Sequence, residues 1–96
     1  MLTTKDRAKL RSYANSMETI LQIGKDGVTE NVIKQIDDAL AAREMIKVRV
    51  LENSMLSAKD AAGEITEKLD CEVVQCIGTR VVLYRAFDKD PIYPLK

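Results

Sequence analysis

The chain has 96 residues, no histidine and no tryptophan, and its 15 Lys+Arg are balanced by 15 Asp+Glu for a formal net charge of +0. That length supports one domain with a modest core, and 46% hydrophobic with 31% charged residues excludes collagen-like and wholly disordered classes. The missing histidines remove every His-based triad, His-ligated metal site and His general base. No apolar run approaches the ~18 residues of a membrane span, and the first residues carry no apolar signal core, so the expectation is a soluble cytoplasmic protein with no membrane partner.

In chain order, Thr3-Thr4-Lys5-Asp6 fits the capping-box start of a helix. Leu10, Tyr13, Ala14 and Met17 then recur at helical spacing, and Lys5 with Lys9 and Arg7 with Arg11 form basic ridges beside that stripe. Thr19-Ile20-Leu21-Gln22-Ile23 is short, β-branched and apolar, as in a buried strand. Thr29 is a good N-cap for a second helix whose inner face is Val32, Ile33, Ile36, Ala39 and Leu40. Met45 to Leu51 alternates with period two, with Ile46, Val48 and Val50 on one face and Lys47 and Arg49 on the other. Ser57-Ala58-Lys59-Asp60 repeats the capping-box signal ahead of a small-residue stripe through Ala61, Ala62, Ile65 and Leu69. Two strands, Glu72–Ile77 and Arg80–Arg85, are joined by Gly78-Thr79, a two-residue hairpin with glycine first.

The predicted order is therefore α-β-α-β-α-β-β. It implies an α/β (mixed α+β) fold in which a four-stranded mixed sheet packs against helices. The domain is expected over 1–86, with a loosely ordered tail over 87–96 where Asp88, Lys89, Asp90, Pro91 and Pro94 collect. Cys71 and Cys76 lie five apart; in one regular strand they point to opposite faces with Cα atoms roughly 16 Å apart. A disulfide needs less than about 7 Å, so both read as small buried apolar residues in a reducing compartment. Asp37 and Asp38 point about 100° apart on a helix and form no catalytic dyad. No nucleophile–base pair and no metal-ligand cluster stands out, so an enzyme, a cofactor and a small-molecule substrate are not expected.

The segment with most chemical content is Ile23-Gly24-Lys25-Asp26-Gly27-Val28-Thr29. It leaves a strand and enters a helix whose first amides are unpaired and carry partial positive charge, a setting in which phosphate binds readily. Glycines permit positive φ and let a ligand backbone approach the main chain, and Lys25 adds a mobile cation. A G-x-x-G clamp of this layout is how KH modules grip single strands; the Walker A spacing is absent. Taken alone, G-x-x-G is also what a tight strand-to-helix turn looks like. A charged short helix is often only a solvated face, exposed strand lysine often only discourages edge pairing, and Tyr84 beside Arg85 suits core packing as well as base stacking.

Together the segments resemble the CRM domain (chloroplast RNA splicing and ribosome maturation) in its stand-alone bacterial, YhbY-like form. The resemblance runs from about Leu2 to Arg85. It rests on Leu2-Thr3 with Arg7, Leu10, Arg11 and Ala14; on Gln22 through Glu30; on Ala39-Leu40; on Glu44 through Val48; and on Val74 through Gly78 followed by Val82-Leu83-Tyr84-Arg85. It implies a fold similar to the C-terminal domain of translation initiation factor three and a non-enzymatic RNA-binding role in ribosome assembly. The implied partner is large-subunit ribosomal RNA or a pre-ribosomal particle; a monomer is expected. The resemblance implies Gly24, Lys25 and Gly27 of the loop and Lys47 of the neighbouring strand as RNA-binding; Asp26 within the loop, Arg49 beside Lys47, and Arg7, Arg11 and Arg85 complete the expected contact set. Zero net charge and Asp26 in the loop imply few phosphate contacts and a binding that weakens steeply with salt. They also leave room for a different role, a protein-interaction module that contacts an assembly factor or ribosomal protein.

Overall fold

Hydroxyl caps start all three helices where the sequence places them. In the computed structural model, which describes residues 2–87 and 89–93, the Asp6 amide donates to Thr3 Oγ1 at 3.0 Å while Thr3 N–H donates back to Asp6 Oδ2 at 3.1 Å. Ser57 and Asp60 repeat the box, and Thr29 accepts from Val32 N–H. The elements are α1 (Thr4–Ala14), β1 (Leu21–Ile23), α2 (Glu30–Arg43), β2 (Met45–Val50), a 3-10 turn (Glu52–Ser54), α3 (Ala58–Lys68), β3 (Glu72–Ile77) and β4 (Arg80–Tyr84). The predicted order of elements is thus the observed one. Some boundaries move: β1 begins at Leu21 rather than Thr19, α1 ends at Ala14, short of Met17, β2 ends at Val50 rather than Leu51, and β4 at Tyr84 rather than Arg85.

The strands form one sheet in the order β1-β2-β4-β3. β1 and β2 are parallel, and β4 is antiparallel to both β2 and β3. The hairpin therefore folds back so that β4 inserts between β2 and β3. Val81, Val82, Leu83 and Tyr84 are accordingly buried in a run, as expected of a central strand. At the hairpin tip Gly78 has φ 57° and Thr79 does not share the positive sign, the pattern of a type II′ turn.

Helices cover both faces. Ile36 and Leu40 of α2 and Ala61, Ala62 and Ile65 of α3 pack with Ile23, Ile46, Val48, Val81 and Leu83 on one side. On the other, Leu10 and Ala14 of α1 pack with Met45, Val74, Val82 and Tyr84, joined by Met17 from beyond the helix. A bulge at Val74 breaks the alternation of β3, since Val73 pairs with Leu83 and Gln75 with Val82. Val74 and Gln75 therefore both turn to the α1 side. This corrects the reading of the cysteines. Cys71 packs against the α2/α3 core and Cys76 pairs with Val81 of that same core, so the two share a side. Both are free thiols; Cys71 is half-buried and Cys76 is exposed, not buried.

Only Glu44 separates α2 from β2, and it reverses the chain with φ 68°. Such a backbone costs of order 1–3 kcal/mol in a residue with a Cβ. The compensation lies in the side chain, which is 0% exposed. Its Oε2 accepts from Phe87 N–H at 2.7 Å and its Oε1 from Tyr93 N–H at 2.8 Å. The Tyr93 ring also packs on Tyr13 of α1 with centroids 5.3 Å apart. Where the sequence suggests a loosely ordered tail over 87–96, the described part is tied back to the body through this carboxylate; Asp88 and residues 94–96 lie outside the described residues.

Removing the acceptors strands two main-chain donors. Glu44→Ala is expected to cost about 2–4 kcal/mol and Glu44→Gln, which keeps one acceptor, about half that, read as the shift in urea midpoint. Tyr84 gives a pH prediction. Burial first, then the Glu44 and Asp6 carboxylates, push its phenol above the usual 10.0. Folded Tyr84 thus holds its proton to higher pH than the unfolded chain does. Its contribution is fully present below pH 10 and is lost as pH rises through the folded value. Urea unfolding at stepped alkaline pH should show that decline, and Tyr84→Phe should flatten the part above pH 10.

Candidate nucleic-acid interface

The Gly24–Gly27 junction sits at one end of the sheet, where β1 and β2 both finish. Ile23 O accepts from Leu51 N–H at 2.9 Å, closing the ladder. The chain then turns, with Gly27 N–H donating to Gly24 O at 2.9 Å and Thr29 N–H to Gly27 O at 3.1 Å. Gly27 has φ 71°, which a residue with a Cβ adopts only under strain. Gly24 has no such need: a Cβ placed there meets Asn53 Oδ1 and Leu51 Cδ1 at 4.0 Å, ordinary contact. The N–H groups of Lys25, Asp26 and Val28 find no acceptor among the described residues. Lys25 and Asp26 are exposed, and the Lys25 ammonium makes no ion pair among the described residues. The bend thus presents free amides, a mobile cation and the N-terminal end of α2 to solvent, with Asp26 lowering the local positive charge.

The cations named from sequence divide into two groups. Lys47 and Arg49 lie on the α1 side of β2, and Arg49 is near the strand end that adjoins the loop. Arg49 is exposed and unpaired among the described residues, whereas Lys47 is half-buried and donates from Nζ to Met17 O at 3.0 Å. Arg11 is partly exposed on α1, one turn (about 5.4 Å) beyond Arg7 toward the same end. Arg7 and Arg85 belong to the opposite end, about 16 Å away along β2. Arg7 donates from Nε to Val73 O and from Nη1 to Leu2 O, and approaches Glu72 at 3.7 Å. Arg85 donates from Nε to Asp70 O and pairs with Asp37 at 2.8 Å. Both hold elements together within the molecule.

A cation that the sequence reading passed over joins the first group. Arg80 opens β4 directly opposite Arg49 and is exposed. Across all four strands the final row on this face is Gln22, Arg49, Arg80 and Ile77. The hairpin register could have paired Ile77 with Arg80 from sequence, but the neighbourhood of Arg80 and Arg49 required the strand order.

Elsewhere the surface carries mixed or acidic linings. Of two open clefts of about 380 and 390 Å³, the second is rimmed by Asp6, Asp70 and Glu72 and the first sets Glu18 against Arg43. Burial pushes the Cys71 thiol up from 9.0, with Arg85 opposing and Asp70 and Glu72 adding to the rise. Burial likewise raises Cys76 against the pull of Lys59. A reactive thiol needs the reverse shift. Tyr84 is 4% exposed and cannot offer its face to a base. Among the described residues no group of three or more metal-ligating side chains comes together, and no helix is long and apolar enough to cross a membrane.

Comparison with known proteins places the chain among named relatives. The Bacillus subtilis protein YqeI, named a probable RNA-binding protein, is 46% identical over 85 residues, covering 88% of each chain. A Haemophilus influenzae protein named RNA-binding protein is 31% identical, covering 95% of this chain and 92% of its own. The solution structure of hypothetical protein SAV1595 from Staphylococcus aureus superposes with a TM-score of 0.77 at 44% identity, covering 98% of this chain and 100% of that one. Residues 2–85 match the CRS1/YhbY (CRM) domain, and the chain belongs to that family.

Proposed function

We propose that the protein is a non-enzymatic, cytoplasmic RNA-binding factor that acts in ribosome assembly on large-subunit precursors, and that it grips RNA at the loop end of the sheet. The observation that carries this is the coincidence of unpaired loop amides at Lys25, Asp26 and Val28 with three exposed cations, Lys25, Arg49 and Arg80, that have no carboxylate partner among the described residues. Phosphate oxygens satisfy both at once. Relatives named as RNA-binding proteins support the ligand class, and the resemblance to stand-alone bacterial CRM proteins supports the assembly role. Contacts of this kind position RNA without reading its sequence, so selectivity comes from RNA shape. Zero net charge favours a second reading, docking on an assembly factor or ribosomal protein. Co-sedimentation with pre-ribosomal particles that survives RNase treatment would select it.

Binding to ribosomal RNA fragments across a salt series tests the first reading. Lys25→Glu and Arg49→Glu touch no intramolecular partner, so each should weaken binding and reduce the log–log salt slope by about one. Unchanged affinity and slope in both would remove this surface. Gly24→Ala is a second test. The free space at Gly24 predicts an unchanged unfolding midpoint, while close approach of a phosphate backbone predicts weaker RNA binding. Gly27→Ala should instead lose about 1 kcal/mol of stability through its positive φ.

A further inference from the structure

Arg49 and Arg80 form an unusual pair. Val50 N–H donates to Thr79 O at 2.7 Å, so the next pair along, Arg49 and Arg80, is of the non-hydrogen-bonded kind. Cα atoms there are about 4.5 Å apart and side chains stand closest. Like charges directly opposite are destabilising, and among the described residues no acid relieves them. Such a pair is complementary to an anion. Beside it lies a recess of about 110 Å³ between the end of α1 and the sheet, walled by Ala14 and Val82 and edged by Asn15, Gln75, Ile77 and Arg80. Ile77 is 59% exposed there. The Asn15 and Gln75 amides make no side-chain hydrogen bond among the described residues, and each offers donors and an acceptor.

Apolar wall, free amides and adjacent guanidinium groups are what an unstacked nucleobase with its phosphate requires: a surface for the ring, partners for its edge, and charge for its backbone. A base inside a continuous A-form duplex cannot enter a concave site without leaving the stack. The GKDG loop leaves β1, and Arg80 stands two strands across, about 10 Å away by strand spacing, so one short run of RNA reaches both. We propose that this recess takes one unpaired RNA base while Arg49 and Arg80 hold the neighbouring phosphate, making the protein a reader of single-stranded or flipped nucleotides and not of unbroken duplex. The proposal rests on the RNA-binding reading of the same end of the sheet.

The test compares three RNAs: a blunt duplex, the same duplex with a short single-stranded overhang, and that overhang made abasic. The intact overhang should bind about tenfold tighter than the blunt duplex, and the abasic one should lose the gain. Arg80→Ala and Gln75→Leu should abolish the difference between overhang and duplex, whereas Lys25→Glu should weaken both together and keep their ratio. Thermal unfolding monitors folding; if Gln75→Leu fails to fold, Arg80→Ala at its exposed position decides. Equal binding of blunt and overhang RNA, or full binding of the abasic overhang, overturns the proposal and leaves RNA binding standing. No binding of any of the three, with Lys25→Glu silent, removes the RNA-binding reading and this proposal with it. A nucleoside monophosphate titrated alone separates the two sources of the base. Weak binding relative to the overhang supports RNA, and equal binding makes a free nucleotide the ligand and overturns the assignment.

Discussion

The hydrogen bond from Lys47 Nζ to Met17 O at 3.0 Å holds the segment that follows α1 against β2, and the exposed end of the sheet lies beyond the point where α1 stops. With 11 residues, α1 is about 16 Å long. It covers Met45, Val82 and Tyr84 and stops at Ala14, before the row of Gln22, Arg49, Arg80 and Ile77. On the opposite face α2 and α3 bury Ile23, Val50 and Val81 near the same end, leaving Cys76 exposed at the β3 edge. One corner of a sheet that is otherwise buried on both sides is thereby left open, and the polar residues that fill it are the cations and amides on which the functional reading depends. Lys47, half-buried in this turn, is a brace for the open corner as well as part of its charge.

Neutrality of the whole chain conceals this separation. At the closed end, Arg7 with Glu72 and Arg85 with Asp37 consume positive charge internally, and Glu44 uses its carboxylate on main-chain amides. At the open end, Lys25, Arg49 and Arg80 remain unmatched among the described residues. A formal sum of +0 is thus compatible with a local positive field, which acts over about a Debye length of 8–10 Å at ordinary salt. So small a set of cations implies modest, salt-sensitive affinity for naked RNA and a need for shape complementarity.

Local signals carried most of the fold. The Thr3, Thr29 and Ser57 caps, the alternation of Ile46, Val48 and Val50, and the Gly78-Thr79 turn each depend on residues within a few positions of one another, and all are found where read. What was not legible depends on distant partners. No local pattern says that β4 inserts between β2 and β3, and without that order Arg80 has no reason to be placed beside Arg49. The Val74 bulge defeats a period-two reading of β3: strict alternation puts the cysteines on opposite faces and Gln75 away from Val74, whereas the bulge brings Val74 and Gln75 together on the α1 side. Nothing near Glu44 in the sequence announces that its carboxylate will accept from the main-chain donors of Phe87 and Tyr93. Basic residues in sequence likewise do not state which carboxylate will claim them: Arg7 and Arg85 look like Arg49 until the ion pairs are seen.

The most direct measurement is a residue-resolved map of amide chemical-shift changes on titration with a large-subunit ribosomal RNA fragment. If the open corner is the RNA face, the largest changes fall together on residues 24–28, Arg49 and residues 77–80. Changes centred instead on Arg7, Glu72, Asp37 and Arg85, with the Gly24–Gly27 amides unmoved, would place the contact at the closed end and contradict the account.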